Sequence, residues 1–371
     1  MATEQESTST NREPSIENLC NSLTPQQFQA WYRERQYREN IQKGRPYFNG
    51  PAAVPEPERH SPSKLLQCHR KVFYQQENAP EEQSDPTGIF WFGRRFEEEI
   101  ALPFLREAVA GPDEYVTNSI WVDYTIEIES GKIQIRGETD PVIVDSDSSP
   151  LLLTEIKTKR SIENVQSPNP HHRAQAHAYM KGLSEKYDRN VSRAVVIYGS
   201  RTNLDIRVFT IDFDPRFWRQ TVSEWAQTHT TYRLNHELPP AAPEYDWECQ
   251  FCSYRERCGK GESQTADSGV EGFIRGYDGY PREKVEQYLD ESPDEMLTPT
   301  LARKFPELAS RYGVLKWQCP NCTATVNPEK VEDTTEPLCP SCADCGELSH
   351  LSLSTSDSVG STESASLQNN T

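Results

Sequence analysis

The sequence lacks a long apolar run and a leader-like beginning. Nowhere do about 18 apolar residues follow one another, the length that a membrane-spanning helix requires. The first residues, Met-Ala-Thr-Glu-Gln-Glu-Ser, contain neither a basic stretch nor an apolar segment. We therefore expect a soluble, cytoplasmic protein with no membrane partner.

The sequence also lacks an excess of positive charge. Its 39 Lys and Arg residues stand against 57 Asp and Glu residues, which gives a net charge of -18. A broadly basic surface for nucleic acids is thereby excluded, because neutralising phosphates requires Lys and Arg, and any such contact has to come from a local groove. Arginine is about twice as frequent as lysine, and the acidic residues are scattered through loops. This composition is similar to that of halophilic proteins.

The length of 371 residues is enough for one main domain and a smaller appendage. Composition shifts and motif positions define the expected segments. They are a disordered arm (1–22), a helix with a Pro-rich connector (23–60), the main domain (61–262), a polar linker with two short helices (263–312), a cysteine-containing unit (313–350) and a disordered tail (351–371).

The main domain shows the order helix, three strands, helix, strand, strand, helix. Its first long helix is expected over Ile89–Ala108, where Phe92, Phe96, Ile100 and Phe104 recur at four-residue intervals. This order predicts an α/β fold in which one mixed sheet is flanked by helices. The expected strands are Ser119–Ile128, Lys132–Asp145, Leu151–Lys157, Ala194–Tyr198 and Arg207–Asp212, and the later helices are His171–Lys186 and Pro215–His236.

Two acidic segments suggest a metal site. Asp140 closes one expected strand, and Glu155 and Lys157 share a face of the next because strand side chains alternate. If these strands pair, two carboxylates come together as a Mg²⁺ or Mn²⁺ site, and Lys157 would orient a water molecule and offset charge. By spacing alone, a solvated strand face with a Glu–Lys surface pair explains these residues at least as well.

Two further motifs change that balance. Gly93-Arg-Arg-Phe-Glu97 lies within the first long helix, and Gln175 and Tyr179 lie one turn apart on a later helix. Together with the acidic segments, these motifs resemble in order those of RecB-like PD-(D/E)XK nucleases, above all the CRISPR-associated RecB-like iron-sulfur exonucleases. The resemblance covers about residues 60–260 and implies a restriction-endonuclease-like fold and metal-dependent hydrolysis of DNA.

The resemblance also implies roles for individual residues. It makes Asp140, Glu155 and the main-chain carbonyl of Ile156 metal ligands, and it makes Gln175 and Tyr179 residues that place Lys157 or the DNA. The first motif of the family commonly supplies a His to the metal, but Phe96 stands at that position here. Glu97 is the only adjacent candidate for the third ligand. For His177, an ordinary position on the helix surface is expected.

The ten cysteines fall in clusters, which indicates metal ligands rather than disulfide staples. Cys249-x2-Cys252-x5-Cys258 supplies three thiolates, and this spacing alone favours zinc and iron about equally. The resemblance adds the distant Cys68 as the fourth ligand and implies a [4Fe–4S] cluster.

Two later cysteine pairs predict a zinc ribbon. Cys319-Pro-Asn-Cys322 and Cys339-Pro-Ser-Cys342 are knuckles separated by sixteen residues, a pattern typical of a four-thiolate Zn²⁺ site. Cys345 could replace Cys339 or Cys342, whereas no metal is expected at Cys20. The ribbon could equally serve as a structural staple or as a docking module for DNA or protein.

These features predict an exonuclease that trims single-stranded DNA ends, either in CRISPR spacer acquisition with an integrase complex or in DNA repair. The chain has no Gly-x-x-x-x-Gly-Lys-Ser/Thr loop, so a helicase would be a separate partner. One alternative is a degenerate, nuclease-like DNA-binding scaffold, which Phe96 favours and the intact acidic motifs oppose. A transcription-associated adaptor built on the ribbon and residues Pro281–Tyr312 is a weaker alternative.

Overall fold

A computed structural model of the chain describes residues 20–44, 54–128, 131–262, 269–326, 331 and 350–354. Most of the expected N-terminal arm and C-terminal tail therefore lies outside the described residues. The chain divides into two compact units, Met1–Ala53 and Val54–Thr371. In the first unit, helix α1 (Pro25–Gln42) begins after Thr24, whose hydroxyl accepts a hydrogen bond from the Gln27 N–H.

The second unit holds the main α/β region. Its elements agree with the expected order, although two short strands, β1 and β2, are added and one expected strand is divided. They are β1 (Arg59–His60), α2 (His69–Gln76), α3 (residues 87–109), β2 (Glu114–Thr117), β3 (Trp121–Ile128), β4 (Gly131–Glu138), β5 (Val142–Asp145), β6 (Pro150–Lys159), α4 (Pro170–Tyr187), β7 (Arg193–Ser200), β8 (Ile206–Asp212) and α5 (residues 215–234).

The expected strand Lys132–Asp145 is wrong as a single element. The chain breaks into β4 and β5, which belong to different sheets. Pro141 lies in the break, where its missing N–H and its effect on the preceding residue oppose a continuous ladder. Instead of one sheet, the region has a five-stranded sheet of order β2-β5-β6-β7-β8 and a three-stranded sheet of order β1-β4-β3.

The five-stranded sheet is mixed and is covered on both faces. Strands β6 and β7 are parallel, whereas the other neighbouring pairs are antiparallel. On one face, Leu153 and Val196 pack with residues of α4, including Met180. On the other face, Ile156 and Ile197 pack with α3. These two cores make the region an α/β sandwich, as expected from the sequence.

Helix α3 is interrupted by two π-helical turns, Glu97–Ala101 and Leu105–Val109. A wider turn shifts the helix face that meets the core, so Phe96, Ala101 and Leu105 are buried. The four-residue stripe predicted from the sequence therefore does not form one buried face, and Phe104 is exposed. Within the described residues, no helix combines the length and the apolar character needed to cross a membrane.

The residues after the sandwich form a second apolar core. Helices α6 (Arg282–Glu291), α7 (Pro299–Lys304) and α8 (Pro306–Ala309) occupy much of the expected linker. Their buried side chains join Phe273 and Tyr280 in one cluster. Buried Lys284 forms ion pairs with Glu81, at 2.5 Å, and with Asp85, at 2.9 Å, and so connects this core to the segment before α3. A small antiparallel sheet follows, made of β9 (Lys316–Gln318), β10 (Thr325–Val326) and β11 (Ser352–Ser354).

Candidate active site

Asp140 lies at the break where the chain leaves one sheet for the other. The neighbouring Pro141 carbonyl accepts hydrogen bonds from the Thr154 N–H at 3.1 Å and from the Thr154 hydroxyl at 2.6 Å. These bonds hold the break against β6. Oδ2 of Asp140 then accepts a hydrogen bond from the Ile156 N–H at 2.6 Å. The carboxylate is thus fixed beside the strand that carries the other acidic motif.

Glu155 and Lys157 lie on the face of β6 that is turned toward α4. The Glu155 side chain is completely buried and forms an ion pair with Lys157. Nζ of Lys157 is also 3.9 Å from Oδ2 of Asp140. Apart from this ion pairing, neither carboxylate oxygen of Glu155 has a hydrogen-bond partner among the described residues. The structure therefore brings Asp140, Glu155 and Lys157 into one cluster.

Burial dominates the electrostatics of this cluster. It raises the pKa of Glu155 to about 8, although the ammonium group of Lys157 acts in the opposite direction. Burial by itself lowers the pKa of Lys157, but the nearby carboxylates, that of Glu155 foremost, raise it above its ordinary value. Lys157 is therefore charged at neutral pH. The cluster holds a surplus of acidic groups around one ammonium ion, which is a fitting environment for a divalent cation.

Phe96 and Glu97 occupy different surroundings. Phe96 is buried with Ile156 and Ile197, and a Cβ added at Gly199 would lie only 2.3 Å from its ring. The position at which the family commonly has a metal-binding His is thus part of the apolar core. The charge of Glu97 raises the pKa values of both Glu155 and Lys157. Glu97 starts the first π-helical turn and is close enough to the acidic cluster for its charge to act on it, although it is the smallest of the causes.

Gln175 and Tyr179 lie on the side of α4 that faces the cluster. Both side chains are buried, and the Tyr179 hydroxyl donates a hydrogen bond to the Glu138 carbonyl at 2.6 Å. Burial, followed by the charges of Glu155 and Asp140, raises the pKa of Tyr179, while a hydrogen bond with Gln175 acts in the opposite direction. The pair thus ties α4 to the end of β4, immediately before Asp140.

Additional residues near Lys157 were not predicted from the sequence. His171 lies close enough for Lys157 to help lower its pKa to about 4, although burial is the larger cause. His172 shares a 2.7 Å hydrogen bond with the Tyr198 hydroxyl. The Lys159 ammonium lies 4.8 Å from the centre of the Tyr198 ring. In the sequence, the adjacent His171 and His172 at the start of α4 are the feature from which these polar residues near Lys157 could have been predicted.

The expectation of a surface position for His177 is wrong. The side chain is fully buried. Its Nδ1 lies 2.8 Å from the Arg173 carbonyl, and its Nε2 accepts a hydrogen bond from the Asp214 N–H at 3.0 Å. His177 therefore connects α4 to the residue that caps α5, a structural contact that a helical pattern cannot show.

Four cysteines surround one cavity at the start of α2. Cys68 precedes this helix, and Cys249, Cys252 and Cys258 come from the loop after α5. The cavity has a volume of about 230 Å³ and is also lined by Lys71. Within the described residues, no group of three or more His, Cys, Asp or Glu side chains is arranged as a formed metal centre. The thiols thus share a cavity without being in ligand geometry.

The expected zinc site is only partly described. Cys319 is buried and Cys322 is half-buried, and both lie between β9 and β10. The Thr323 N–H donates to the Cys319 carbonyl at 2.8 Å, which closes a tight turn between the two thiols. Cys339, Cys342 and Cys345 lie outside the described residues.

Comparisons with known proteins bear on this site. A family model of the PD-(D/E)XK nuclease superfamily matches residues 32–259, and no curated protein matches. A crystal structure of SSO0001 is 18% identical, with a TM-score of 0.44, over 64% of this chain and 98% of that chain. Rai1 of Scheffersomyces stipitis is 14% identical, with a TM-score of 0.23, over 46% and 50% of the two chains. Neither structural likeness is close enough to carry an argument, but the family match spans more than half of the sequence, and the chain therefore belongs to the PD-(D/E)XK nuclease superfamily.

Proposed function

We propose that this chain is a Mg²⁺- or Mn²⁺-dependent deoxyribonuclease that trims the ends of single-stranded DNA. The carboxylate of Glu155 carries the proposal. It is completely buried, and its one described polar contact is the ion pair with Lys157, which in turn lies 3.9 Å from Asp140. A buried carboxylate is costly unless both of its oxygens are satisfied, and Lys157 contacts only Oε1 of Glu155.

In this proposal, different residues of the chain have different roles in hydrolysis. Glu97, Asp140, Glu155 and the Ile156 carbonyl would hold the divalent ion. When bound, that ion supplies Lewis-acid stabilisation of the charge on a phosphodiester oxygen. Lys157 keeps a protonated donor beside the site, where it offsets charge and orients a water molecule.

Second-layer contacts keep these groups in place. The Ile156 N–H holds the Asp140 carboxylate, and Tyr179 anchors the segment before Asp140 through the Glu138 carbonyl. Gln175 supports Tyr179 by a side-chain hydrogen bond. Such contacts fix the direction of a ligand and matter nearly as much as the ligand itself.

Cleavage of an end-labelled single-stranded oligonucleotide with Mn²⁺ tests this proposal. The wild-type chain should degrade the strand, and Asp140→Ala should not. Asp212→Asn is a matched control, since this exposed carboxylate on the edge strand β8 pairs with Arg193 of β7, and it should cleave like the wild type. If the wild type cleaves no DNA with either metal, the nuclease proposal is refuted.

A DNA-binding scaffold without catalytic activity is the second candidate. The burial of Phe96 favours it, because the core has taken the position of a common metal ligand. DNA binding without metal-dependent cleavage would select this candidate. The Glu97→Ala variant also distinguishes the nuclease from the scaffold. Its loss of cleavage should equal that of Asp140→Ala only if Glu97 supplies the metal contact that Phe96 cannot make.

We also propose that Cys68, Cys249, Cys252 and Cys258 hold a [4Fe–4S] cluster. Cysteines from both ends of the main domain line one cavity, and each thiol of the loop interacts electrostatically with another of the set. Burial raises the pKa of the Cys258 thiol, and the Arg70 guanidinium, 4.0 Å from its sulfur, acts in the opposite direction. Four thiolates with a nearby cation fit the donor set of such a cluster.

The zinc ribbon and the pathway are proposals of the same kind. Cys319, Cys322, Cys339 and Cys342 would bind one Zn²⁺, and a chain that ends before Leu315 should lose that zinc and keep its iron. Loss of iron on this truncation would contradict the proposed boundary. For the pathway, copurification with a CRISPR integrase complex would support spacer acquisition over general repair.

A further inference from the structure

A short acidic segment, residues 81–85, contacts both the cysteine loop (residues 249–258) and the second apolar core. It reads Glu81-Glu-Gln-Ser-Asp85 and lies between α2 and α3. Its side chains and backbone form hydrogen bonds and ion pairs with both of these regions, which are distant from it in sequence. The segment therefore connects parts of the chain that the sequence pattern does not relate to one another.

On one side, the acidic segment holds the loop backbone between the second and third of its cysteines. The Glu82 carboxylate accepts hydrogen bonds from the Glu256 and Arg257 N–H groups at 2.7 and 2.8 Å. The Glu82 N–H in turn donates to the Ser253 carbonyl at 2.7 Å. Because Glu82 is buried, loss of these bonds would leave buried polar groups without partners.

Tyr254 adds a side-chain contact between the segment and the loop. Its ring is buried, lies 5.3 Å from the ring of Tyr74 between their centres, and packs against Cys252 and Cys258. Its hydroxyl donates a hydrogen bond to Oε1 of Glu81 at 3.4 Å. A shift of Glu81 therefore acts on the side chain that packs against two of the proposed cluster ligands.

On its other side, the acidic segment holds helix α6. Lys284 is buried, and its ammonium group forms ion pairs with Oε2 of Glu81 at 2.5 Å and with Oδ1 of Asp85 at 2.9 Å. A buried ammonium group is stable only with such partners. The two oxygens of Glu81 are thus divided between Tyr254 of the cysteine loop and Lys284 of the second apolar core.

Arg257 makes a second connection between the cysteine loop and the second apolar core. Its side chain is buried, and its guanidinium donates to the carbonyls of Gly269 and Gly272. The Gly272 N–H then donates to the hydroxyl of Tyr288, a residue of that core, at 2.9 Å. The loop is therefore attached to a region that was expected from the sequence to be a linker.

We propose that the second apolar core positions the cysteine loop, with Lys284 and Glu81 as the positioning residues that carry its effect to the thiols. The inference rests on the proposed [4Fe–4S] site where it concerns iron, whereas the order of the loop is independent of any metal. A loop that is ordered beforehand loses less conformational entropy when its thiolates bind a cluster. Residues 269–291 thereby belong to the support of the cysteine site.

Hydrogen–deuterium exchange of the full chain, purified anaerobically, tests this positioning. Lys284→Met keeps the length of the side chain and removes its charge. It should speed exchange at the amides of Glu256 and Arg257 about 10- to 100-fold and lower the iron content per chain. Amides of β6 and β7 should exchange as in the wild type, which shows that the sandwich remains folded.

Matched variants separate positioning from a general loss of stability. Arg282→Met removes an exposed cation of the same helix that pairs only within the second apolar core, and it should change neither loop exchange nor iron content. Lys284→Arg keeps the charge and should preserve slow exchange. Asp85→Asn removes the more exposed partner of Lys284 and should speed exchange at the same two amides by a smaller factor, also if Lys284→Met does not fold.

A double variant tests whether Lys284 acts through Glu81. Glu81→Gln should speed loop exchange, and Lys284→Met with Glu81→Gln should exchange no faster than Lys284→Met alone, because both changes break the same connection. The electron paramagnetic resonance signal of the reduced cluster should change in Lys284→Met and stay as in the wild type in Arg282→Met.

Three outcomes would overturn the positioning role. They are unchanged loop exchange in both Lys284→Met and Asp85→Asn, an equal increase in Arg282→Met, and fully additive effects in the double variant. Failure of the proposed cluster looks different. In that case the wild-type chain contains no iron, while exchange in the loop still responds to Lys284→Met.

Discussion

The acidic cluster shows how burial changes the interaction between two ordinary side chains. Glu155 and Lys157 would be a weak pair at a surface, where exposed ion pairs contribute about 0–1 kcal/mol. Here the Glu155 side chain is fully buried and that of Lys157 is largely so. Removing one partner of such a pair leaves the other charge without compensation. Each residue can therefore be tested for a distinct role.

We expect Glu155→Ala and Lys157→Ala to abolish cleavage in different ways. Loss of Glu155 should weaken Mg²⁺ or Mn²⁺ binding, so that activity returns only at the highest metal concentrations. Loss of Lys157 should leave metal affinity nearly unchanged and lower the rate roughly 100- to 1000-fold, as removal of one preorganised donor does. Gln175→Ala should lower the cleavage rate about 10- to 100-fold. Calorimetric metal titration and single-turnover rates measure these effects, and wild-type rates in both variants would show that the active site is misassigned.

His60 makes the stability of the fold depend on pH. Its side chain is buried, with Nε2 2.8 Å from the Thr230 hydroxyl. Burial, followed by the charges of Arg233 and His69, lowers the pKa of His60 to about 4. The unfolded chain, with a pKa near 6.5, therefore takes up a proton first as the pH falls. The free energy of unfolding should decrease between pH 6.5 and 4, by up to about 1.4 kcal/mol per pH unit for this residue.

Denaturant unfolding at a series of pH values tests this dependence. His60→Gln should show a shallower decrease below pH 6.5 than the wild type. Thr230→Val removes the hydrogen-bond partner but no titratable group, so it should lower stability at every pH and keep the slope. Equal slopes in His60→Gln and the wild type would mean that His60 does not contribute to the acid sensitivity.

At the scale of elements, the sequence predicted most helices and strands within a few residues. Its main error was the single strand Lys132–Asp145, because two consecutive apolar segments read as one strand until their pairing partners are known. The register of β4 with β3 and of β5 with β6 is set by contacts distant in sequence. That break positions Asp140, so the geometry of the site could not be derived from the spacing of the motifs alone.

The buried face of α3 was missed for a similar reason. A four-residue interval assumes a regular helix, whereas the two π-helical turns shift the phase. Of the predicted site residues, Asp140, Glu155 and Lys157 lie together in the structure, and their roles stay predictions. The roles of Phe96 and His177 depend on which elements pack around them, and a single sequence does not contain that information.

Gly137 tests how closely these elements must approach. A Cβ at this position in β4 would lie 2.8 Å from Cδ of Pro62 and 3.4 Å from the Tyr179 hydroxyl. Gly137→Ala should therefore push β4 away from Pro62, lower stability by about 1–3 kcal/mol and reduce cleavage by displacing Asp140. Gly88→Ala, where a Cβ has no neighbour within 4 Å, should be neutral or slightly stabilising. Thermal unfolding and cleavage rates measure both, and equal effects would contradict the close contact.

At the scale of the whole second unit, residues distant in sequence are joined at one end of the sandwich. Buried Arg233 of α5 donates to the Pro55 and Glu56 carbonyls and pairs with Glu77 at 3.1 Å. The Glu82 carboxylate accepts hydrogen bonds from two consecutive N–H groups of the cysteine loop, at 2.7 and 2.8 Å. The cysteine loop is therefore held in place by protein contacts that involve no metal.

We expect anaerobic purification to give a brown protein that contains iron and acid-labile sulfide. Cys68→Ser, Cys249→Ser, Cys252→Ser and Cys258→Ser should each lose the iron, whereas Cys20→Ser should keep it, because Cys20 is exposed in the other unit. Loss of the iron should also lower the unfolding temperature, by roughly 2–4 °C for each kcal/mol of stability lost, since metal binding contributes to the folding of the site.

The contacts of Arg233 and Glu82 remain in these variants, so the sandwich should persist with a loosened loop, measurable as faster proteolysis near Cys252. A colourless protein with two zinc ions per chain would show that the four cysteines hold zinc, and iron retained in Cys68→Ser would exclude the ligand that joins the two ends of the domain.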